Sequence, residues 1–224
     1  MYTKRIQRFE SREDAGRKLA KRLDRHSKPG SVIVLALPKG GVPIGAEIAG
    51  LLNKPFDVLL IGKITAPGCG GMPLGAITTG GVRMLNSAMI DRLHLSKDEV
   101  SNAVLQGARS LARREKICRG QYPPQTIADH TVILVDDGST PCAVIRDAIR
   151  LLRRQHAEQV IIALPSISHQ DARDLRLEAD DVITLEEPPD PRAAAKSFKS
   201  FPRTTTADVR RILAGKCPIA GTGN

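Results

Sequence analysis

Apolar residues fall into short runs separated by stretches of helical period. Val32-Ile-Val-Leu-Ala-Leu37 is continuous, rich in β-branched side chains and too short for a solitary helix. It predicts a strand buried on both faces, as strands of parallel sheets are. Asp57–Gly62, Thr131–Val135, Gln159–Ala163 and Asp181–Thr184 have the same character. Between them lie helical patterns. Ser11 can cap a helix whose first turn holds Asp14 and whose stripe is Ala15, Leu19 and Leu23, with Pro29-Gly30 as its stop. Residues 42–53 form a second helix with Pro43 in its first turn, and 143–154 and 170–178 two more. Strand and helix alternate, so 32–62 is one βαβ unit and 131–163 another. The prediction is an α/β fold: a doubly wound, mostly parallel sheet with helices on both faces.

A different pattern interrupts it. Residues 65–75 are irregular and rich in Gly and Pro. Residues 76–79 and 82–85 then form a hairpin on Gly80-Gly81. Ser96-Lys-Asp-Glu99 is a capping box opening a long helix, with Val100, Val104 and Leu111 on one side, and Tyr122-Pro-Pro124 closes the segment. The expected organisation is one domain over 1–190, carrying this hairpin and long-helix insertion at 65–124. A partly flexible C-terminal extension follows at 191–224, with a final helix after Arg203–Thr206 and frayed residues from 215.

Composition narrows the function. Aromatic residues are 3% with no Trp, so the core is aliphatic and base-stacking platforms are few. The net charge of +10 is spread over predicted helices, at Arg17-Lys18, Lys21-Arg22, Arg113-Arg114, Arg150 and Arg153-Arg154. Solvated helix faces explain this better than a dedicated nucleic-acid surface. The four cysteines and the scattered His94, His130, His156 and His169 show no metal-ligand spacing, which points to free thiols in a reducing compartment. No run approaches the length of a signal or membrane segment, so the expectation is a cytoplasmic protein without a membrane partner.

The chemistry concentrates at two predicted strand ends, Val135-Asp136-Asp137-Gly138-Ser139-Thr140 and Leu37-Pro38-Lys39-Gly40-Gly41. Ligands of doubly wound sheets bind outside the carboxyl ends of the strands. Two adjacent carboxylates there can accept from ribose hydroxyls or face a metal, and the turn into the next helix can hold a phosphate. The competing reading is that the aspartates only cap that helix. Neither strand end carries G-x-G-x-x-G or a Walker A loop.

Val132-Ile-Leu-Val-Asp-Asp-Gly138 resembles the signature of the type I phosphoribosyltransferases. Ala36-Leu-Pro-Lys-Gly-Gly-Val-Pro43, Lys63-Ile-Thr-Ala-Pro-Gly68 and Leu74-Gly-Ala-Ile77 resemble a bacterial and archaeal subgroup of that family. The resemblance covers roughly residues 8 to 212, nearly the whole chain. It implies that Asp136 and Asp137 hold the ribose hydroxyls of phosphoribosyl diphosphate. Amides of the loop Gly138, Ser139, Thr140, Cys142, Ala143 and Val144 would hold its 5′-phosphate. Lys39, Gly40 and Gly41 would form the diphosphate loop, with Lys63 adding positive charge. Mg2+ would arrive with the ligand rather than on protein residues. The implied reaction is transfer of phosphoribose to a nucleobase-like acceptor, and the insertion could form a homodimer surface.

The chain departs from the family pattern where T-G-x-T is expected: it has Pro141-Cys142-Ala143-Val144. Pro141 has no N–H, Cys142 replaces a glycine and Val144 replaces a hydroxyl. Losing two or three charge-assisted hydrogen bonds of ~1.5–3 kcal/mol each would weaken ligand binding by roughly two to five orders of magnitude. Gly62 and Gly70-Gly71-Met72 also differ from the subgroup, and Arg192–Ala195 lies where the family tends to carry aromatics, with Phe198 as the stacking candidate there. Cys142 is read as a small residue in preference to an activated thiol. The alternative function is therefore a non-catalytic relative, a ligand-sensing or nucleic-acid-contacting regulatory module.

Overall fold

The computed structural model describes residues 9–26, 30–120, 122–189, 197–200 and 202–216. The chain divides into two compact units, one made of residues up to Val58 and from Gln125 onward, the other of Leu59–Pro124.

In the first unit, α1 (Arg12–Leu23) begins at Ser11, whose hydroxyl accepts from the Asp14 amide at 3.3 Å, and runs into a 3-10 turn at Asp24–His26. Then come β1 (Val32–Ala36), α2 (Gly41–Leu52) and β2 (Phe56–Val58). The left-handed Asn53 terminates α2. The predicted stop at Pro29 lies outside the described residues. Five strands form one sheet in the order β2-β1-β6-β7-β8, every pairing parallel; β6 is Thr131–Val135, β7 Gln159–Ser166 and β8 Asp181–Glu186. β1 is buried at every position and β6 at all but its first. Successive strand residues face opposite ways, so both faces of the sheet centre are covered. α5 (Cys142–Arg154) and α6 (His169–Arg176) follow β6 and β7 and pack together; the final helix, α7 (Thr206–Lys216), packs on α2. The core is aliphatic apart from Phe9, Phe56 and Phe198.

The second unit is a three-stranded antiparallel sheet, β3 (Ile61–Thr65), β4 (Pro73–Thr78) and β5 (Arg83–Leu85), with α3 (Ser87–Arg92) and α4 (Lys97–Arg119). Gly80 and Gly81, both at positive φ, make the β4–β5 turn as expected. The Ser96–Glu99 capping box is reciprocal, and α4 lays Ala103, Gly107 and Leu111 on its buried side.

One predicted element divides. Residues 57–62 read as a single strand, whereas β2 ends at Val58 and β3 starts at Ile61 in the other sheet. Leu59 and Leu60 are buried between them. The apolar run is continuous because burial continues, while the pairing partner changes. Asp57 stabilises the junction: one carboxylate oxygen accepts from the Val58 amide at 2.7 Å and the other from the Gln125 amide at 2.9 Å. The chain's exit from the first unit and its return are thus tied to one side chain. The second compact unit begins at Leu59.

Candidate functional site

β1 and β6 are neighbours in register, so the loops that follow them meet. The Leu37 amide continues the ladder by donating to the Val135 carbonyl at 2.8 Å. The Lys39–Gly41 loop then crosses the diacid so closely that a Cβ on Gly40 would lie 1.7 Å from Asp137 Oδ2. Gly40 has ordinary helical dihedrals, φ −69° and ψ −31°, so glycine is required here by space and not by conformation. Lys39 is exposed on the rim.

Asp136 and Asp137 are both buried. Asp136 holds its own loop. Its Oδ2 accepts from the Gly138 and Thr140 amides at 2.8 and 3.1 Å, and its Oδ1 from the Thr140 hydroxyl at 2.7 Å. Burial and, after it, the adjacent Asp137 charge raise its pKa to about 6 against the opposing hydrogen bonds from Thr140 and Gly138. Asp137 Oδ1 accepts from the Ser139 amide at 3.1 Å. Gly138, at φ +87°, sits where a Cβ would meet the Ser166 carbonyl at 2.3 Å, so the loop is pressed onto the end of β7.

The second oxygen of Asp137 has a partner that the sequence did not disclose. Arg12 approaches it with Nε at 3.1 Å and Nη2 at 2.9 Å, and donates from Nη1 to the Pro202 carbonyl at 2.6 Å. The guanidinium and carboxylate are 7% and 1% exposed, which makes this a buried ion pair with two N–H groups converging on one oxygen. One signal for it existed. Arg12 is the first residue of α1, where the helix dipole disfavours a cation, so an arginine there needs a compensating acid.

Pro141 is the N-cap residue of α5 and provides no side-chain cap. Its carbonyl takes the Val144 and Ile145 amides at 2.9 and 3.3 Å. Ser139, Pro141 and Ala143 form the outer surface of the loop, and Cys142 and Val144 are half-buried. The Cys142 thiol is pushed up to about 11 by burial and by the charge of Asp171, so the helix terminus does not activate it. The structure therefore brings Lys39, Gly40, Gly41, Asp136, Asp137 and the 138–144 loop to one sheet end. Lys63 is exposed on β3 of the second unit, and its role rests on the sequence resemblance. Phe198 is no stacking platform: its ring is buried against Phe9, with centroids 5.4 Å apart. Residues 192–195 lie outside the described residues.

The parallel sheet thus brings a glycine loop and an acid pair together at adjacent strand ends. The chain belongs to the phosphoribosyl transferase domain family, whose family model matches residues 3–198. Proteins from two strains of Mycobacterium tuberculosis, whose names provisionally assign them to the phosphoribosyl transferases, are each 32% identical over 208 residues. That alignment covers 92% of this chain and 46% of each relative, so the chain spans less than half their length. The crystal structure of TT1426 from Thermus thermophilus is 28% identical and superposes with a TM-score of 0.80, covering 94% of this chain and 99% of that one.

Proposed function

We propose that the chain binds phosphoribosyl diphosphate at the end of β1 and β6 and transfers its phosphoribose to a nucleobase-like acceptor. The observation that carries this reading is the contact of Gly40 with Asp137, which makes the diphosphate loop and the ribose acids one continuous site. Asp136 and Asp137 would orient the ribose hydroxyls, Lys39 would neutralise diphosphate charge, and the exposed face of the 138–144 loop would take the 5′-phosphate. The C1–oxygen bond to diphosphate breaks as a nitrogen of the acceptor bonds to C1. The protein contributes positioning and charge, not a covalent intermediate. Mg2+ fits as part of the ligand. The two carboxylates here are already hydrogen-bonded within the protein. Ligand and water oxygens would complete its octahedral shell.

A second reading has a specific observation behind it. The Gly138, Ser139 and Thr140 amides turn inward to the carboxylates, and Pro141 has none to offer. A site with fewer outward donors suits a sensor that binds the ligand without turning it over. Diphosphate release in the presence of Mg2+ and a panel of nucleobases distinguishes the two. Release that depends on one base supports the transferase. Binding without release under any base supports the sensor.

A further inference from the structure

The second unit carries a long helix with an exposed outer face. α4 lays Ala103, Gly107 and Leu111 inward, and a Cβ on Gly107 would meet the Lys63 carbonyl of β3 at 3.1 Å, so that side is filled. By helical period the opposite side is the row Asp98, Asn102, Leu105, Arg109, Ala112 and Lys116, and every one of them is exposed. Their spacing alternates between four and three, the period with which one helix seats another along a seam. Leu105, in the middle of the row, is 48% exposed. Charge is divided along the helix: Asp98 and Glu99 lie in its first turn, and Arg109, Arg113 and Lys116 toward its end. Arg109 and Arg113 are four apart and Arg113 and Lys116 three apart, so these cations repel across adjacent turns. No residue three or four away from any of them is acidic. Arg146, Arg150 and Arg153 of α5 face Glu178 and Asp180, whereas Asp98, Arg109, Arg113 and Lys116 form no ion pair among the described residues. An acid brought from outside would relieve that repulsion, and α4 itself carries one at its other end.

We propose that the outer face of α4 is a self-association surface, on which a second copy of this chain packs its own α4 antiparallel about a two-fold axis beside Gly107. That axis places Asp98 of one copy opposite Lys116 of the other, Asn102 opposite Ala112, and Leu105 opposite the aliphatic stem of Arg109. The two Leu105 side chains flank the axis, offset by about 6 Å along the helices, and the short Ser101, Ala108 and Ala112 leave room for them. A parallel pair would set acid against acid and cation against cation, so charge selects the antiparallel arrangement. A nucleic acid is the other partner that these cations would attract, but it leaves Leu105 in water and meets Asp98 at the head of the same row. The proposal is independent of the ligand at the sheet end.

The test is sedimentation velocity of the chain over protein concentrations of about 10 to 500 µM, at about 50 mM and about 0.5 M salt. The wild type is expected to pass from monomer to dimer across that range and to dissociate more readily at high salt. Asp98→Lys puts cations at both ends of the row, and Lys116→Glu puts acids at both ends. Each variant, first shown by thermal melting to be folded, should self-associate roughly 10–100-fold more weakly than wild type. An equimolar mixture of the two should dimerise again, because every facing pair is then opposite in charge. Leu105→Gln, which leaves the charges alone, should weaken the dimer as well. A wild type that stays monomeric throughout overturns the proposal, as does a dimer that survives both charge variants. Loss in each variant without recovery in the mixture overturns the antiparallel register. A monomeric wild type that shifts a fluorescein-labelled single-stranded oligonucleotide, with the shift lost in Lys116→Glu, would give the face to nucleic acid instead.

Discussion

At the scale of single residues, the site is defined by what cannot be added to it. Gly138 combines φ +87° with a carbonyl 2.3 Å from any Cβ, so Gly138→Ala meets backbone strain and a collision together. It should lose at least about 2 kcal/mol of unfolding free energy in urea titration. Gly40→Ala, with normal dihedrals, should instead displace the Asp137 carboxylate. Its signature is a larger loss of ligand affinity than of stability.

Asp136 makes a pH prediction. Folding raises its pKa from 3.8 to about 6, so across that window the folded protein retains a proton that the unfolded chain has released. Stability from this group is complete below pH 3.8 and is lost as the pH rises through about 6. Asp14, Glu178 and Glu187 act oppositely, because ion pairs and hydrogen bonds depress their pKa values, and their contribution is lost as the pH falls. Subtracting the curve of Asp136→Asn removes those shared terms. The wild type should be favoured over the variant at pH 4 and lose that advantage by pH 7; a pH-independent difference would contradict the buried diacid described here.

At the scale of elements, the apolar runs of β1, β6 and β7 and the caps at Ser11 and Ser96 were legible because local physics decides them. The Gly40 and Asp137 loops were legible as a pair because both follow strands of one parallel sheet. The division of 57–62 between two sheets was not, since Leu59 and Leu60 are as buried as strand residues and carry no turn signal. α3 also escaped, being one short stretch whose sign is the Asn86 side chain accepting from the Met89 amide at 3.0 Å. Arg12 gave only the hint of a cation in the first turn of α1, because its partner lies 125 residues away. The junction supplies a test. Asp57→Ala removes the acceptor of the Val58 and Gln125 amides, and should cost about 1–3 kcal/mol, measured as a lower urea midpoint. Hydrogen exchange at those two amides should rise together.

At the scale of the molecule, part of the basic charge is matched within the fold. Arg146, Arg150 and Arg153 of α5 face Glu178 and Asp180, Arg25 pairs with Asp181, and Arg176 with Glu187. These arginines tie α5, α6 and β8 together. No helix among the described residues is long and apolar enough to cross a membrane. The conspicuous chemistry is at one sheet end, where a glycine loop meets an acid pair. The most direct measurement is calorimetric titration of the wild-type protein and the folded Asp136→Asn/Asp137→Asn double variant with phosphoribosyl diphosphate and Mg2+. Roughly micromolar binding by wild type that disappears in the double variant is the predicted result. Absence of binding up to millimolar ligand, or equal binding by the two proteins, would contradict it.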